Sequence, residues 1–466
     1  MGNMSDAPDP NVVAEPVSLT AEERRLREAR AGVPWRAWGP YLSERQWGTV
    51  REDYSDDEDA WSYFTHDQAR SRAYRWGEDG IAGISDDKQR LCLAVALWNE
   101  RDPILKERLF GLTNAEGNHG EDVKEYYFYV DNLPTHSYQR YLYKYPQAEF
   151  PYNELVTVNR ARSRHEQEYE LIDTGVFDDG HYFDVEVEHA KAGPEDILCR
   201  ITVHNRSSRD AALHVLPTLW FRNIWSWPTA EPKPRMARVE SAHPVVRADH
   251  HKAGVFYLYA EPDAALLFCE NETNMARVFG AEPATRFPKD GIGDHLLHGA
   301  DTVNPAGEGT KAAAHARLAV PAGGQAVMMV RLTRQDSEEL LAPFAGADEL
   351  IARRRAEADE FYEAITPPAV PDDARAVMRQ ALAGMLWSKQ CYYFDVDQWL
   401  RERHPTRCAC LSGGGAATSR GSTCSTMTWC PCRTSGSTRG TPPGTWRSTA
   451  SRWPWSTRTS PRARST

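Results

Sequence analysis

The chain has 466 residues and a formal charge of −11, unevenly laid out: ten arginines and no acid follow Glu402, which leaves −21 on residues 1–402. An acidic body of that kind argues against binding a phosphate backbone, so no nucleic-acid partner is expected. The widely spaced Cys92, Cys199, Cys269 and Cys391 speak against a disulfide framework, and the acidic start, Met1 to Pro16, holds no apolar run; the expectation is a cytoplasmic chain with no secretory signal and no membrane span.

Residues 1–17 carry no periodic signal and are expected to be disordered. SLTAEERRLREARAG at 18–32 predicts a short charged helix, capped by Ser18 or Thr20 with Glu22 and Glu23 in its first turn. From Trp35 to Tyr152 aromatics, glycines and charges are dense without clean periodicity, the pattern of strands joined by long ordered loops. Strand signals then sharpen. YFDVEVE at 182–188 alternates by two, and ILCRITVHN at 197–205, ALHVLPTLWF at 212–221, GVFYLYA at 254–260 and AALLFCE at 264–270 are strand-length apolar runs. HARLAVPAGG at 315–324 and QAVMMVRLT at 325–333 predict a closing hairpin with Pro321–Gly324 as its turn. Short strands repeating without helices between them predict a mainly β fold, one large antiparallel β-sandwich over about 35–335, within a helix-plus-sandwich domain at 18–335.

The pattern changes after Asp336. Residues 337–365 predict a helix with Leu340, Leu341, Leu350, Ile351, Phe361 and Tyr362 on its apolar side and Arg353 to Arg355 outside. Pro367, Pro368 and Pro371 break it. A second helix is predicted at about 372–394, with Val377, Met378, Ala381, Leu382, Met385 and Leu386 on a face that must pack on something. These helices make residues 336–402 a separate helical segment.

Residues 403–466 contain no Asp, Glu, Lys, Asn, Gln, Val, Ile, Phe or Tyr, and hold five of the nine cysteines. Such a stretch cannot build a core worth the entropy of ordering it, and a disordered tail is expected. One reading is a low-complexity, arginine-rich appendage. The other is translation out of frame. Met427 and Trp429 have single codons, so a frame starting at each third base must give Asp from Met427-Thr428 and Val from Trp429-Cys430. With free bases chosen elsewhere, residues 420–461 read as a string rich in acids and aliphatics that contains AAWDLAFH, which favours the shifted frame. The cysteines of the tail have no histidines at zinc-finger spacing, so no metal site is expected there.

The block WGPYLSERQWGTVREDY at 38–54 sets two Trp, two Arg and three acids in seventeen positions. Indole faces stack on the C–H face of a pyranose, while fixed guanidinium and carboxylate groups bond its hydroxyls. Trp38, Arg45, Trp47, Arg51 and Asp53 are therefore the candidate substrate-binding residues, weighed against a buried hydrogen-bonded network of the same composition. His119, Glu121, Asp122 and His136 are conceivable metal ligands, but no spacing among them matches a known site, and a satisfied polar core is the expectation. No cofactor motif occurs: the sequence lacks a P-loop, G-x-G-x-x-G, G-x-S-x-G and a zincin helix.

Four blocks, at 38–55, HDQARSRAYRWGEDGIAGISDD at 66–87, LAVALWNERDPILKERLFGLTNAEGNHGEDVKEYYFYVDNLPTHSY at 93–138 and LPTLWFRNIWSW at 216–227, resemble the amino-terminal part of bacterial members of glycoside hydrolase family 63. These are relatives of mannosyl-oligosaccharide glucosidase and mannosylglycerate hydrolase. The resemblance covers about 20–402. It implies a β-sandwich, linker helices and an (α/α)₆ barrel, truncated here to its first helices, that cleaves an α-glucosidic bond of an oligosaccharide or glycoside with inversion. It also implies a general acid Asp in a segment like the W-D of the shifted-frame string, and a general base Glu beyond it. On that footing neither catalytic carboxylate is present and the chain is expected to be inactive; the alternative is a non-catalytic sandwich that binds carbohydrate or another subunit.

Overall fold

The computed structural model describes residues 19–42, 65–75, 80–112, 122–163, 165–227, 231–395 and 425–431. Helix α1 (Ala21–Arg30) begins at a reciprocal cap. The Thr20 hydroxyl accepts from the Glu23 N–H at 3.2 Å, and the Glu23 carboxylate accepts from the Thr20 N–H at 2.9 Å. There follow β1 (Trp38–Gly39), α2 (His66–Ser71), β2 (Ile81–Asp86), β3 (Leu91–Trp98), β4 (Gly111–Leu112) and β5 (Asp122–Val123). Next come β6 (Tyr127–Asn132), β7 (Tyr138–Pro146), α3 (Tyr152–Ala161), β8 (Tyr182–Gly193), β9 (Asp196–Asn205) and β10 (Ala211–Phe221). Then β11 (Arg235–Val239), β12 (Val245–His250), β13 (Gly254–Ala260), β14 (Ala265–Cys269), α4 (Met275–Phe279) and α5 (Gly291–His298) precede β15 (Glu308–Gly309), β16 (Lys311–Val320) and β17 (Gln325–Thr333). The described chain closes with α6 (Ala347–Ile365), α7 (Asp372–Trp387), β18 (Lys389–Asp395) and β19 (Ser425–Pro431).

Two antiparallel sheets form a sandwich, so the fold is mainly β. A six-stranded sheet runs β1-β2-β3-β10-β16-β14, and a nine-stranded sheet runs β15-β11-β12-β13-β17-β9-β8-β7-β6. Period-two alternation decides which side chains meet between them. Leu93, Val95, Leu213 and Leu219 of the first sheet and Tyr141, Val187, Ile201 and Leu258 of the second are buried in one cluster.

The strands expected between 182 and 333 are all present, but the closing hairpin is not a hairpin. β16 pairs with β10 and β14, whereas β17 pairs with β9 and β13 in the opposite sheet. Both neighbours of β16 are already filled, so the turn at Pro321–Gly324, with Gly323 at φ +63°, carries the chain across the sandwich instead.

The two long helices are shorter than predicted. Pro343 and the left-handed Gly346 (φ +69°) delay α6 until Ala347, which leaves Leu340 outside the helix and Leu341 79 % exposed. Leu350 and Ile351 pack on Ala190 and Leu198, and Phe361 and Tyr362 on Leu133 and Tyr138, which lays α6 on the outer face of the nine-stranded sheet. Arg353 is exposed as expected, but Arg354 and Arg355 turn inward. Arg354 Nε donates to the Lys191 carbonyl at 2.8 Å, and Arg355 donates to the buried Glu188 carboxylate at 2.6 Å, because β8 presents an acid to the helix. α7 ends at Trp387, and the chain continues as β18 paired with β19, a pairing that the expectation of a helix to 394 and an unstructured tail did not include.

Candidate functional site

The outer face of the six-stranded sheet is built from the residues that alternate with the core. On β3 these are Cys92, Ala94 and Ala96, on β10 Leu216, Thr218 and Trp220, and on β16 Lys311 and Ala313. The register aligns them in rows: Ala94, Thr218 and Ala313 lie side by side, and Cys92, Trp220 and Lys311 form the next row. Small side chains in one row beside large ones in the next leave a hollow. The loop after β3 closes it with Glu107 and Arg108, and the segment after β14 closes it with Asn271 and Lys289. The resulting cavity is about 30 Å³. A second hollow of about 30 Å³, lined by Arg70, Ile104, Asp290, Asp294 and His298, shares Glu107 with it.

Charge organises this pocket. Lys311 and Glu107 form a buried ion pair, and Lys311 Nζ also donates to the Lys289 carbonyl at 3.0 Å. Burial opposes both charges, yet Lys311 and Arg108 hold the Glu107 carboxyl below its ordinary range, and Glu107 in turn raises Lys311. Lys289 Nζ sits 4.0 Å over the ring of Tyr74 and donates to the Arg72 carbonyl at 3.2 Å. The segment carrying Tyr74 is tied down beside it: the Ser71 hydroxyl donates to Asp290 at 2.6 Å, and the Ala73 N–H donates to the Thr273 hydroxyl at 3.0 Å.

Of the predicted substrate-binding residues, Trp38 requires correction. It is 1 % exposed, packs edge-on against Phe256 at 5.2 Å and belongs to the core between the sheets, so no sugar can stack on it. Arg45, Trp47, Arg51 and Asp53 lie outside the described residues, as do His119 and Glu121. His136 takes the polar-core role. Its Nδ1 meets Asn132 Oδ1 at 3.0 Å and its Nε2 meets Lys389 Nζ at 2.8 Å, with the ring pressed so closely on Gly39 that a Cβ there would stand 2.5 Å away. Among the described residues no group of three or more His, Cys, Asp or Glu is placed to hold a metal, and Cys92, Cys199 and Cys269 are buried. No described helix is long and apolar enough to cross a membrane.

The sequence reading passed over Glu107, Lys289, Lys311 and Trp220. A signal was available in LCLAVAL at 91–97, where Leu91, Leu93, Val95 and Leu97 alternate with the small Cys92, Ala94 and Ala96, which implies a close cover on the second face of the strand. Two of the resemblance blocks line the pocket, through Ala94, Ala96, Glu107 and Arg108 and through Thr218 and Trp220, while Leu42 packs with Cys92, Ala94 and Trp220, and Tyr74 lies under the Lys289 ammonium.

The sequence is similar to one curated protein over most of its own length. The uncharacterized protein YMR196W of Saccharomyces cerevisiae is 42 % identical over 427 residues, a match that takes in 82 % of this chain and 39 % of the yeast protein. The chain thus spans well under half the length of that relative. No family model matches it. Among solved structures, a putative kojibiose phosphorylase from human microbiome superposes with a TM-score of 0.18 at 6 % identity, over 46 % of this chain and 23 % of that one, too slight an overlap to bear on the fold.

Proposed function

We propose that the chain carries the sandwich and linker helices of a glycoside hydrolase of α-glucosidase type, a cytoplasmic enzyme acting on an oligosaccharide or a glucosyl- or mannosyl-glycerate-like substrate. One observation supports this reading above the others: two of the blocks chosen for their resemblance to glycoside hydrolase family 63, at 93–138 and 216–227, line one pocket on one sheet face, and Leu42 and Tyr74 of the other two lie against residues that line it. Arg45, Trp47, Arg51 and Asp53 follow Leu42, which packs on Trp220 at that pocket, and remain the proposed sugar-binding residues. The first helices of the barrel would begin at α7.

Catalysis on this reading belongs elsewhere. Inverting hydrolysis needs one carboxylic acid on the leaving oxygen and one carboxylate on water, about 6.5–9.5 Å apart. The general acid is assigned to the W-D segment that residues 420–461 encode in the shifted frame.

The coding DNA around codon 405 tests the reading. A single inserted or deleted base that brings the W-D string into frame is the expected result, and the corrected protein, extended through its barrel, should hydrolyse an α-glucoside with inversion by NMR. A coding sequence in which no single-base change restores that string, together with carbohydrate binding by the 466-residue chain, would favour a non-catalytic binding sandwich.

A further inference from the structure

Trp220 brings to the pocket a donor that finds no acceptor among the described residues. The side chain is 7 % exposed and lines the hollow, and among the described residues its Nε1–H meets no acceptor. An indole nitrogen can only donate, and a buried donor without an acceptor is costly to keep. Lys311 is the cross-strand neighbour of Trp220, and both residues line the same hollow. Among the charged side chains that line it, Arg108, Lys289 and Lys311 are cationic and Glu107 alone is acidic. The floor of Ala94, Ala96 and Thr218 keeps the space small: it has room for a compact group, not for a whole sugar ring.

A compact group that accepts from an N–H and gains from neighbouring cations is an oxyanion. A neutral hydroxyl could accept from the indole but would draw little from the ammonium groups. We propose that this pocket binds the phosphate or carboxylate group of a small ligand, with the Trp220 N–H as the directional donor and Lys311 and Lys289 as the source of charge. That the rest of the ligand is a sugar rests on the function proposed above; the oxyanion site does not.

Isothermal titration of the full chain with inorganic phosphate, acetate, glucose 6-phosphate, glucuronate and glucose separates the two. The expected result is saturable binding of phosphate or acetate that weakens with added salt and falls about tenfold or more in Trp220→Phe, which keeps the ring and loses only the N–H. Lys289→Gln serves as a second variant, with circular dichroism checking both folds. Tighter binding of glucose 6-phosphate than of phosphate, or of glucuronate than of acetate, supports both readings and names the anion. Phosphate or acetate binding with no gain from the sugar leaves the oxyanion site and removes the sugar. Binding of glucose without phosphate or acetate, binding unchanged in both variants, or no binding of any probe, with the hollow holding ordered water only, overturns the oxyanion site.

Discussion

Lys191 and Trp38 meet through the backbone: the Lys191 ammonium donates to the Trp38 carbonyl at 2.7 Å. It also donates to the Trp35 carbonyl at 2.6 Å and to the Thr135 carbonyl at 3.2 Å, all of them buried. One side chain on β8 thereby fixes two loops and the strand that ends in Gly39. Lys191→Met leaves three buried acceptors without a donor and should lower stability by about 2–4 kcal/mol, read as the urea midpoint at constant m-value. An unchanged midpoint would mean that water replaces the ammonium.

The ion pair of Glu107 and Lys311 makes a different prediction. Both side chains are deeply buried, so removing one partner strands the other charge. Glu107→Gln should cost about 3–5 kcal/mol, whereas the double change Glu107→Leu with Lys311→Met should cost clearly less, because no charge is left buried. Equal losses in the single and double variants would contradict this account of the pocket.

Stability should also rise with pH in two steps. Burial pushes His189 down to about 4 from an ordinary 6.5, and burial, with Arg36 nearby, pushes the Lys389 amine down to about 7 from 10.5. In both windows the unfolded chain binds a proton that the folded chain refuses, so unfolding free energy increases with pH from about 4 to 6.5 and again from about 7 to 10.5. Lys191, whose amine burial likewise pushes down to about 7, contributes to the same upper step, so Lys389→Met should reduce that step without abolishing it and leave the lower one. Urea titrations across pH check both.

Helix α7 divides its apolar residues between two fates. Trp387 is buried, stacked on Tyr129 at 5.7 Å, and donates to the Asp131 carbonyl at 2.8 Å, while Val377 is 61 % and Met385 37 % exposed. Trp387→Ala should cost about 3–5 kcal/mol. Val377→Glu with Met385→Lys should leave stability within about 0.5 kcal/mol and reduce self-association measured by light scattering.

The 466-residue chain should not turn over aryl or disaccharide α-glucosides, since no acid follows Glu402 to complete a carboxylate pair. Turnover abolished by changing Glu44, Glu52 or Asp53 would place the chemistry in the sandwich instead.

The sheets could be read from the sequence because their inward positions alternate cleanly, as in YFDVEVE at 182–188. Partnership between strands could not: whether β16 pairs with β17 depends on which edges are already filled, and no local pattern carries that. Arg354 and Arg355 looked like a solvated charge run because their partners, the Lys191 carbonyl and Glu188, lie more than 160 residues away. Trp38 was misread for a related reason. Sugar platforms and core indoles have the same composition around them, and only packing against Phe256 tells them apart.

The strand order of the six-stranded sheet has a consequence for synthesis. β3 gains β2 as a neighbour at once, but its other edge waits for β10, which begins 113 residues after Trp98. At about 5–20 residues per second, the sequence LCLAVALW therefore emerges from the ribosome with an open, apolar edge for roughly 6–23 s. An edge of that kind pairs readily with another chain. The nascent protein should then depend on a holding chaperone during that interval, and slowing translation between β3 and β10 should lower soluble yield without altering the folded product.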